Sequence, residues 1–372
     1  MPPKRIVSAK LVICGENWCS PFAERSGQSD EAKRITHMRK FAGPAGSVSR
    51  ITVDSAVLKS NMLGDPSTRD VAVYVPAGHD GRGLPLLVDL VGFTGSGLAH
   101  TNWAGFQENL PERLDRLIGE HRMPPVVVAF PDCFTRLGGN QYINSASMGA
   151  WEDYLLNEML PAVEQRFRCG GDGRRGVFGK SSGGYGAITH ALRHADIWSA
   201  AACHSGDMAF ELCYLPDMPA VLRALAGVDN SIERWWQQLE SAQKHPEGSF
   251  KVFNALAMAA SYDPDPTQFL GIRLPVTFDT CEIIEERWAN WLRQDPVIAL
   301  ESQSNNLRRL KALYIDCGEK DQFNLLYGAR RFARRLKQLD IAHRYEEFAD
   351  NHTSVDYRMD TSLPFLAEAL TR

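Results

Sequence analysis

The sequence predicts an α/β fold in which a mostly parallel sheet is covered by helices on both faces. Two observations support this prediction. From residue 84 onward, short apolar runs of strand length alternate with longer amphipathic segments. The apolar runs are almost uninterrupted, as is typical of strands that are buried on both faces. A chain of 372 residues is long enough to give such a domain a large core.

Two antiparallel strands are predicted before this alternation begins. Residues 47–58 and 70–75 alternate apolar and polar side chains, and the segment 61–66 between them contains Asn, Gly, Asp and Pro. Residues 1–46 show no such pattern, so we expect them to form an N-terminal extension. The α/β domain is then expected to occupy residues 47–372.

The remaining elements follow from the apolar pattern. The helix predicted at 323–339 shows the clearest period, with Leu325, Ala329, Phe332 and Leu336 on one face. A further helix is predicted directly after residue 181. The other strands are predicted at 84–91, 125–130, 176–178, 200–204, 310–316 and 343–348, and the other helices at 103–118, 151–167 and 357–370.

One long segment, about residues 207–300, does not alternate. It contains helix-like stretches and lies after a predicted strand, on the carboxyl side of the sheet where α/β enzymes place their sites. We therefore expect an inserted helical cap that covers the site. It also contains four tryptophans, Trp235, Trp236, Trp288 and Trp291. They either line a substrate pocket, the role expected of Trp288 and Trp291, or pack the cap onto the body of the domain.

Composition and charge exclude several classes of function. The formal net charge is −4, which gives no basic surface for nucleic acid. No apolar stretch approaches the roughly 18 residues that a membrane span needs. The eight cysteines include no C-x-x-C pair and no zinc-finger spacing, so we expect a reducing, cytoplasmic location and no metal.

The most informative motif is G-x-S-x-G at residues 179–183. It follows a short strand and opens a helix, which is the context of a nucleophile elbow centred on Ser181. A phosphate-binding loop would need glycine at 174, where this chain has Arg174. A glycine-rich turn without chemistry is the remaining alternative.

A serine nucleophile needs a base and an acid, which on this type of sheet follow it in the order acid, then histidine. Asp321 follows the strand predicted at 310–316, and His352 follows the strand predicted at 343–348. Rivals for the acid are Glu319, Asp316 and Asp207. His204 also ends a strand, where it either lines the pocket or serves a structural role.

These motifs resemble the esterase family of α/β-hydrolases that includes enterochelin-type and feruloyl esterases, S-formylglutathione hydrolases and mycolyltransferases. The matching positions are Gly179–Gly184, Gly318–Asp321 and His352. The segments 140–145 and 151–154 are similar too. The family's usual histidine after the third strand is absent, because this chain has Val91-Gly92-Phe93 there.

The resemblance implies an α/β-hydrolase fold and a serine carboxylic-ester hydrolase that acts without a cofactor on a small-molecule ester. Ser181 would attack the ester, His352 would serve as the base and Asp321 would orient it. The backbone N–H groups of Ser182 and Phe93 would form the oxyanion hole. An acyltransferase with the same triad, or a catalytically silent binding protein of this fold, are the alternatives.

Overall fold

The computed structural model describes residues 42–372. Residues 1–41, which make up most of the N-terminal extension predicted at 1–46, lie outside them. Residues 42–372 contain an eight-stranded sheet and a short two-stranded ribbon. The sheet strands are β1 (Ser47–Asp54), β2 (Thr68–Val75), β3 (Leu86–Leu90), β4 (Val127–Pro131), β7 (Arg175–Lys180), β8 (Ala200–His204), β9 (Ala312–Gly318) and β10 (Arg344–Phe348). The ribbon consists of β5 (Asn144–Ser145) and β6 (Gly149–Ala150).

The sheet has the strand order β1-β2-β4-β3-β7-β8-β9-β10. The pairs β1–β2 and β2–β4 are antiparallel, and all other neighbours are parallel. Because parallel strands end at the same edge of a sheet, the loops after β3, β7, β8, β9 and β10 meet there. This arrangement confirms the predicted mostly parallel α/β fold.

Helices cover both faces of the sheet. Four of them, at Leu110–Gly119, Ser182–Arg193, Leu325–Gln338 and Met359–Thr371, cover the strands in the way that the alternating pattern predicted. The α-helices are α1 (Leu110–Gly119), α2 (Trp151–Asp153), α3 (Leu160–Phe167), α4 (Ser182–Arg193), α5 (Phe210–Cys213), α6 (Met218–Ala226), α7 (Ile232–Ser241), α8 (Ser249–Tyr262), α9 (Glu285–Leu292), α10 (Pro296–Leu307), α11 (Leu325–Gln338) and α12 (Met359–Thr371).

Two predicted helices differ from the observed ones. The helix predicted at 103–118 begins only at Leu110, because Asn109 caps it. The Asn109 side chain accepts a hydrogen bond from the Glu112 N–H, and the Glu112 carboxylate accepts one from the Asn109 N–H. The helix predicted at 151–167 is interrupted by a π-helical segment at Tyr154–Met159.

Six helices, α5–α10, lie between β8 and β9, where the sequence predicts a cap at about 207–300. The last of them, α10, packs against α4 in the helix layer of the sheet, and Asn306 donates a hydrogen bond to the Leu192 carbonyl. The C-terminal end of the insertion is therefore packed into the body of the α/β domain. The predicted domain boundaries remain a prediction.

The core follows the two-residue period of the strands. In β9, Leu313 and Ile315 face the apolar cluster that contains α4 and α11, whereas Ala312 and Tyr314 face the cluster that contains α1 and α12. β10 lies at the edge of the sheet and is only partly buried. Within residues 42–372, no helix combines the length and the apolar character that a bilayer crossing requires.

We predict that Phe332→Ala lowers the free energy of unfolding by about 3–5 kcal/mol, because the ring is fully buried in α11 and its loss leaves a cavity. Tyr327→Ala is the matched control in the same helix, where the ring is 52% exposed and the expected change is within about 0.5 kcal/mol. Urea unfolding followed by circular dichroism measures both. Equal losses in the two variants would contradict this packing of α11.

Candidate active site

Ser181 lies in the sharp turn between β7 and α4. Its backbone has φ 59° and ψ −125°, a combination that residues other than glycine rarely adopt. The turn is possible because Gly179 and Gly183 flank it, since a Cβ atom at either position would collide with the Leu90 carbonyl of β3. The strain places the Ser181 side chain at the carboxyl edge of the sheet and at the N-terminus of α4.

Asp321 and His352 are brought together by the pairing of β9 with β10. The His352 Nδ1 atom lies 2.7 Å from Asp321 Oδ2, and the Asp321 side chain is fully buried. The other carboxylate oxygen accepts a hydrogen bond of 2.9 Å from the Phe323 N–H. With the proton on Nδ1, the Nε2 atom of a neutral His352 is left free to accept a proton.

Two further contacts fix the orientation of the His352 ring. The ring meets that of Phe323 edge to face, with centroids 4.9 Å apart. The His352 N–H donates to Gln322 Oε1 at 3.1 Å. The loops that carry Asp321 and His352 approach closely at Gly318, where a Cβ atom would lie 2.5 Å from the Asp350 carbonyl oxygen.

The rival acids have other partners. Glu319 is exposed, and its N–H donates to the Phe348 carbonyl. Asp316 is buried and accepts hydrogen bonds from His204, Tyr314 and Arg358. Within residues 42–372, Asp321 is the one carboxylate that is hydrogen bonded to His352.

The nucleophile and the histidine are not hydrogen bonded to each other in the described part of the chain. Both nevertheless lie near Asp207. This carboxylate lines the same cavity as Ser181, and the charge of His352 lowers its pKa. Catalytic hydrogen bonds often shorten to full strength only in the complex with substrate. Transfer of a proton from Ser181 to His352 stays a prediction.

The two residues predicted to form an oxyanion hole both border the Ser181 cavity. Phe93 and Ser182 both line this cavity, and neither N–H donates to an acceptor among the described residues. The loop that carries Phe93 is held on both sides. Gly139 N–H donates to the Phe93 carbonyl at 2.5 Å, and Tyr142 Oη donates to the Val91 carbonyl at 2.6 Å.

The side chain of Ser182 points into a buried polar network. Gln141 Nε2 donates to Ser182 Oγ at 2.8 Å, and Ser182 Oγ donates to Asp207 Oδ2 at 3.4 Å. Tyr214 Oη donates to the same Asp207 oxygen at 2.8 Å. Burial raises the pKa of Asp207 to about 6, and the Tyr214 hydrogen bond and the nearby His352 limit that rise. Sequence reasoning did not identify this network.

His204 does not line the cavities that contain or adjoin Ser181, contrary to its predicted pocket role. It is 2% exposed, its Nδ1 atom pairs with Asp316 Oδ1 at 2.7 Å, and its Nε2 atom pairs with Ser362 Oγ at 2.8 Å. Both ring nitrogens are thus occupied on the side of the sheet covered by α12. This is the structural alternative weighed from the sequence.

Trp288 and Trp291 also lie outside these cavities. Trp291 is fully buried and packs against Trp288, Tyr214 and Tyr262, with ring centroids 5.3 to 5.8 Å apart. The two rings therefore pack the insertion, whereas Trp236 borders a cavity.

Two spaces adjoin at the predicted site. The one that contains Ser181 is small, with a volume of about 40 Å³. A groove of about 580 Å³ lies next to it and is largely apolar, with Phe134, Trp236 and Phe253 in its walls. Phe93 and Phe250 border both spaces and meet edge to face, with centroids 5.8 Å apart. The sequence gives no signal that singles out Trp236 or Phe250.

Residues 42–372 contain no group of three or more His, Cys, Asp or Glu side chains arranged to hold a metal ion. The expectation of a reaction without metal or cofactor remains a prediction.

Among solved structures, a ferulic acid esterase superposes with a TM-score of 0.56 at 18% sequence identity, over 87% of this chain and 99% of that one. An S-formylglutathione hydrolase from Agrobacterium tumefaciens superposes with a TM-score of 0.54 at 20% identity, over 88% of this chain and 96% of that one. These similarities confirm the predicted α/β-hydrolase fold.

Among curated proteins, Esterase Rv1288 of Mycobacterium tuberculosis is 28% identical over 160 residues, which are 39% of this chain and 34% of that protein. The chain thus spans about a third of the length of the curated relatives it matches. The family model described as "Putative esterase" matches residues 60–361, which is most of the chain. The resemblance inferred from the motifs is confirmed, and the chain belongs to this esterase family.

Proposed function

We propose that this protein is a serine carboxylic-ester hydrolase that acts through Ser181, His352 and Asp321. The observation that carries the proposal is the shared cavity at the carboxyl edge of the sheet. The strained Ser181 lines this cavity together with Phe93 and Ser182, whose N–H groups have no acceptor among the described residues. The buried Asp321–His352 pair follows β9 and β10 at the same edge.

The reaction begins with attack of Ser181 Oγ on the ester carbonyl carbon. His352 Nε2 takes the serine proton as the new bond forms, and the carbonyl oxygen becomes negatively charged. His352 then gives this proton to the departing alcohol, which leaves an acyl group on Ser181. Water, deprotonated by His352 in the second half of the cycle, attacks the acyl group and releases the acid.

Two features stabilise the negative charge that develops on the carbonyl oxygen in the transition state, and a third stabilises the positive charge on His352. The N–H groups of Phe93 and Ser182 donate to the oxyanion, and loss of one such donor typically costs about 3–4 kcal/mol. The N-terminus of α4 directs its positive dipole toward the same place. The buried Asp321 carboxylate stabilises the positive charge that His352 acquires when it takes the proton.

The insertion between β8 and β9 supplies most of the walls around the nucleophile. Tyr214, Phe250 and Asn254 reach the Ser181 cavity from it, and Trp236 reaches the adjoining groove. We infer that this insertion acts as a cap that selects the substrate, while the sheet loops provide the chemistry. Acyl transfer to an alcohol would use the same acyl-enzyme, and assays with added alcohol separate it from hydrolysis.

A reducing compartment is part of the proposal. The cysteines of residues 42–372 are free thiols, at positions 133, 169, 203, 213, 281 and 317. Buried thiols such as Cys203 and Cys317 suit the cytoplasm, where disulfides are rare.

We predict that Ser181→Ala lowers kcat for a 4-nitrophenyl ester by roughly 10⁴ to 10⁶ and abolishes labelling by a fluorophosphonate probe, because the nucleophile is removed. Ser182→Ala is the matched control, since Ser182 contributes its N–H rather than its hydroxyl group. It should still be labelled. Labelling of the Ser181→Ala variant would refute the assignment of the nucleophile, and so would loss of labelling in the Ser182→Ala variant alone.

Asp321→Asn is expected to lower kcat by roughly three to four orders of magnitude, because an amide cannot hold the productive histidine tautomer or stabilise its positive charge. Glu319→Gln changes an exposed carboxylate directly after the end of β9 and should stay within about twofold of wild type. Steady-state kinetics of both variants at neutral pH tests this. The reverse result would assign the acid to Glu319.

A further inference from the structure

Asp207 is a carboxylate at the wall of the Ser181 cavity, just beyond the end of β8. Asp207 is 6% exposed, and because it lines the cavity, we take its exposed part to face the cavity. Both of its side-chain hydrogen bonds, from Tyr214 and Ser182, go to Oδ2. Oδ1 has no hydrogen-bond partner among the described residues. The triad chemistry makes no use of this oxygen.

A carboxylate in this position is costly without a donor for its second oxygen. Burying a charged group is unfavourable unless hydrogen bonds replace its water. The Asp207 pKa, raised by burial, reflects that cost. A ligand group that donates to Oδ1 from inside the cavity would offset part of it, most strongly if the group is positively charged.

The rest of the cavity wall has the same character. Its charged side chains are Asp207 and Asp217, and the amide of Asn254 also lines it without a hydrogen-bond partner in the described residues. Lys251 pairs with Asp217 at 2.6 Å but is itself half exposed and does not line the cavity. Asp207 is thus the charged side chain of this wall that has no Lys or Arg partner among the described residues, and near it the wall favours donors and cations over carboxylates.

The two spaces at the site differ in size as well as in polarity. The Ser181 cavity of about 40 Å³ admits only a small group, whereas the groove of about 580 Å³ beyond Phe93 and Phe250 admits a large apolar one. An ester bound across this boundary would place its carbonyl beside Ser181. Its small part would face Asp207, and its large part would lie along Trp236.

We propose that Asp207 determines specificity by accepting a hydrogen bond from a cationic or hydroxyl group on the small part of the ester, while the groove holds a large apolar part. This inference rests on the proposed esterase function and names its substrate class. Asp207 is thus a binding residue for the substrate, and His352 remains the base.

Isosteric ester pairs test the inference. The first pair is the 2-(dimethylamino)ethyl and 3-methylbutyl esters of 2-naphthoic acid, which differ by a protonated nitrogen in place of a CH group. The second pair reverses the ester, with 2-naphthyl N,N-dimethylglycinate and 2-naphthyl 3-methylbutanoate. We expect kcat/KM at pH 7 to favour the ammonium member at least tenfold in one pair.

Asp207→Asn should reduce that ratio at least fivefold, because the neutral amide cannot attract a cation as a carboxylate does. Asp217→Asn makes the same change in the same cavity, at a carboxylate that Lys251 already neutralises. It should leave the ratio within twofold of wild type. A ratio unchanged in Asp207→Asn overturns the inference, and so does equal use of both members of both pairs by wild type.

A measurement on the wild-type enzyme gives an independent readout if Asp207→Asn fails to fold. The Asp207 pKa of about 6 means that the carboxylate is charged at pH 7 and protonated at pH 5. The ratio should therefore fall as the pH decreases through 6, and a ratio independent of pH overturns the inference. Titration of the shared base affects both members of a pair and cancels. The amine of the 2-naphthoate ester stays protonated over this range, and that of the glycinate gains protons as the pH falls, which would raise the ratio rather than lower it. Among the described residues, the titratable groups that interact electrostatically with Asp207 are Cys203, Cys213, Tyr214, Tyr262, Asp321 and His352.

The failure of the proposed function gives a different result. If wild type hydrolyses none of the four esters and the fluorophosphonate probe does not label it, the esterase function is overturned, and this inference with it. Hydrolysis of both members of a pair at equal rates leaves the esterase function intact and removes only the role of Asp207.

Discussion

The site depends on the close approach of two backbones, where the Leu90 carbonyl at the end of β3 lies against Gly179 and Gly183 of the elbow. Any side chain at these two glycines would separate β3 from the turn. Because the approach is so close, the loop after β3 and the first turn of α4 border the same small space. Phe93 and Ser182 thereby line one cavity with Ser181. The strained serine is a consequence of this packing.

The second half of the site is built by a different means. Asp321 and His352 come from loops after neighbouring strands, and a buried hydrogen bond of 2.7 Å joins them. The ring of Phe323 covers the pair on one side, and the Phe323 N–H satisfies the second carboxylate oxygen. A charge that would be costly to bury alone is thus held by a hydrogen bond on each oxygen. Rigid strands, rather than long loops, set its position.

The sequence was informative where a local rule decides the structure. Buried parallel strands have continuous apolar runs, the elbow needs glycine on both sides of Ser181, and the chain order of the fold brings Asp321 and His352 to one edge. Each of these features depends on a few neighbouring residues. The family and the fold could therefore be predicted, as could the meeting of Asp321 with His352.

The walls of the site could not be predicted, because they depend on packing between distant segments. Trp236, Trp288 and Trp291 all lie in amphipathic helices, and only their contacts show that Trp236 borders the groove. The pocket role predicted for His204 was an error that the strand period could have prevented. It lies on the same face of β8 as Ala200 and Ala202, which pack toward α12, so the two-residue period directs it away from the elbow.

The site draws its parts from strands of unequal stability. Ser181, the proposed nucleophile, follows β7, which is buried between two neighbours, whereas His352, the proposed base, follows β10, which is partly exposed and has one neighbour. Edge strands open by local fluctuation more readily than central ones. Fraying of β10 would withdraw His352 while the elbow and most of the core stay folded. Heat should therefore inactivate this protein before it melts the sheet.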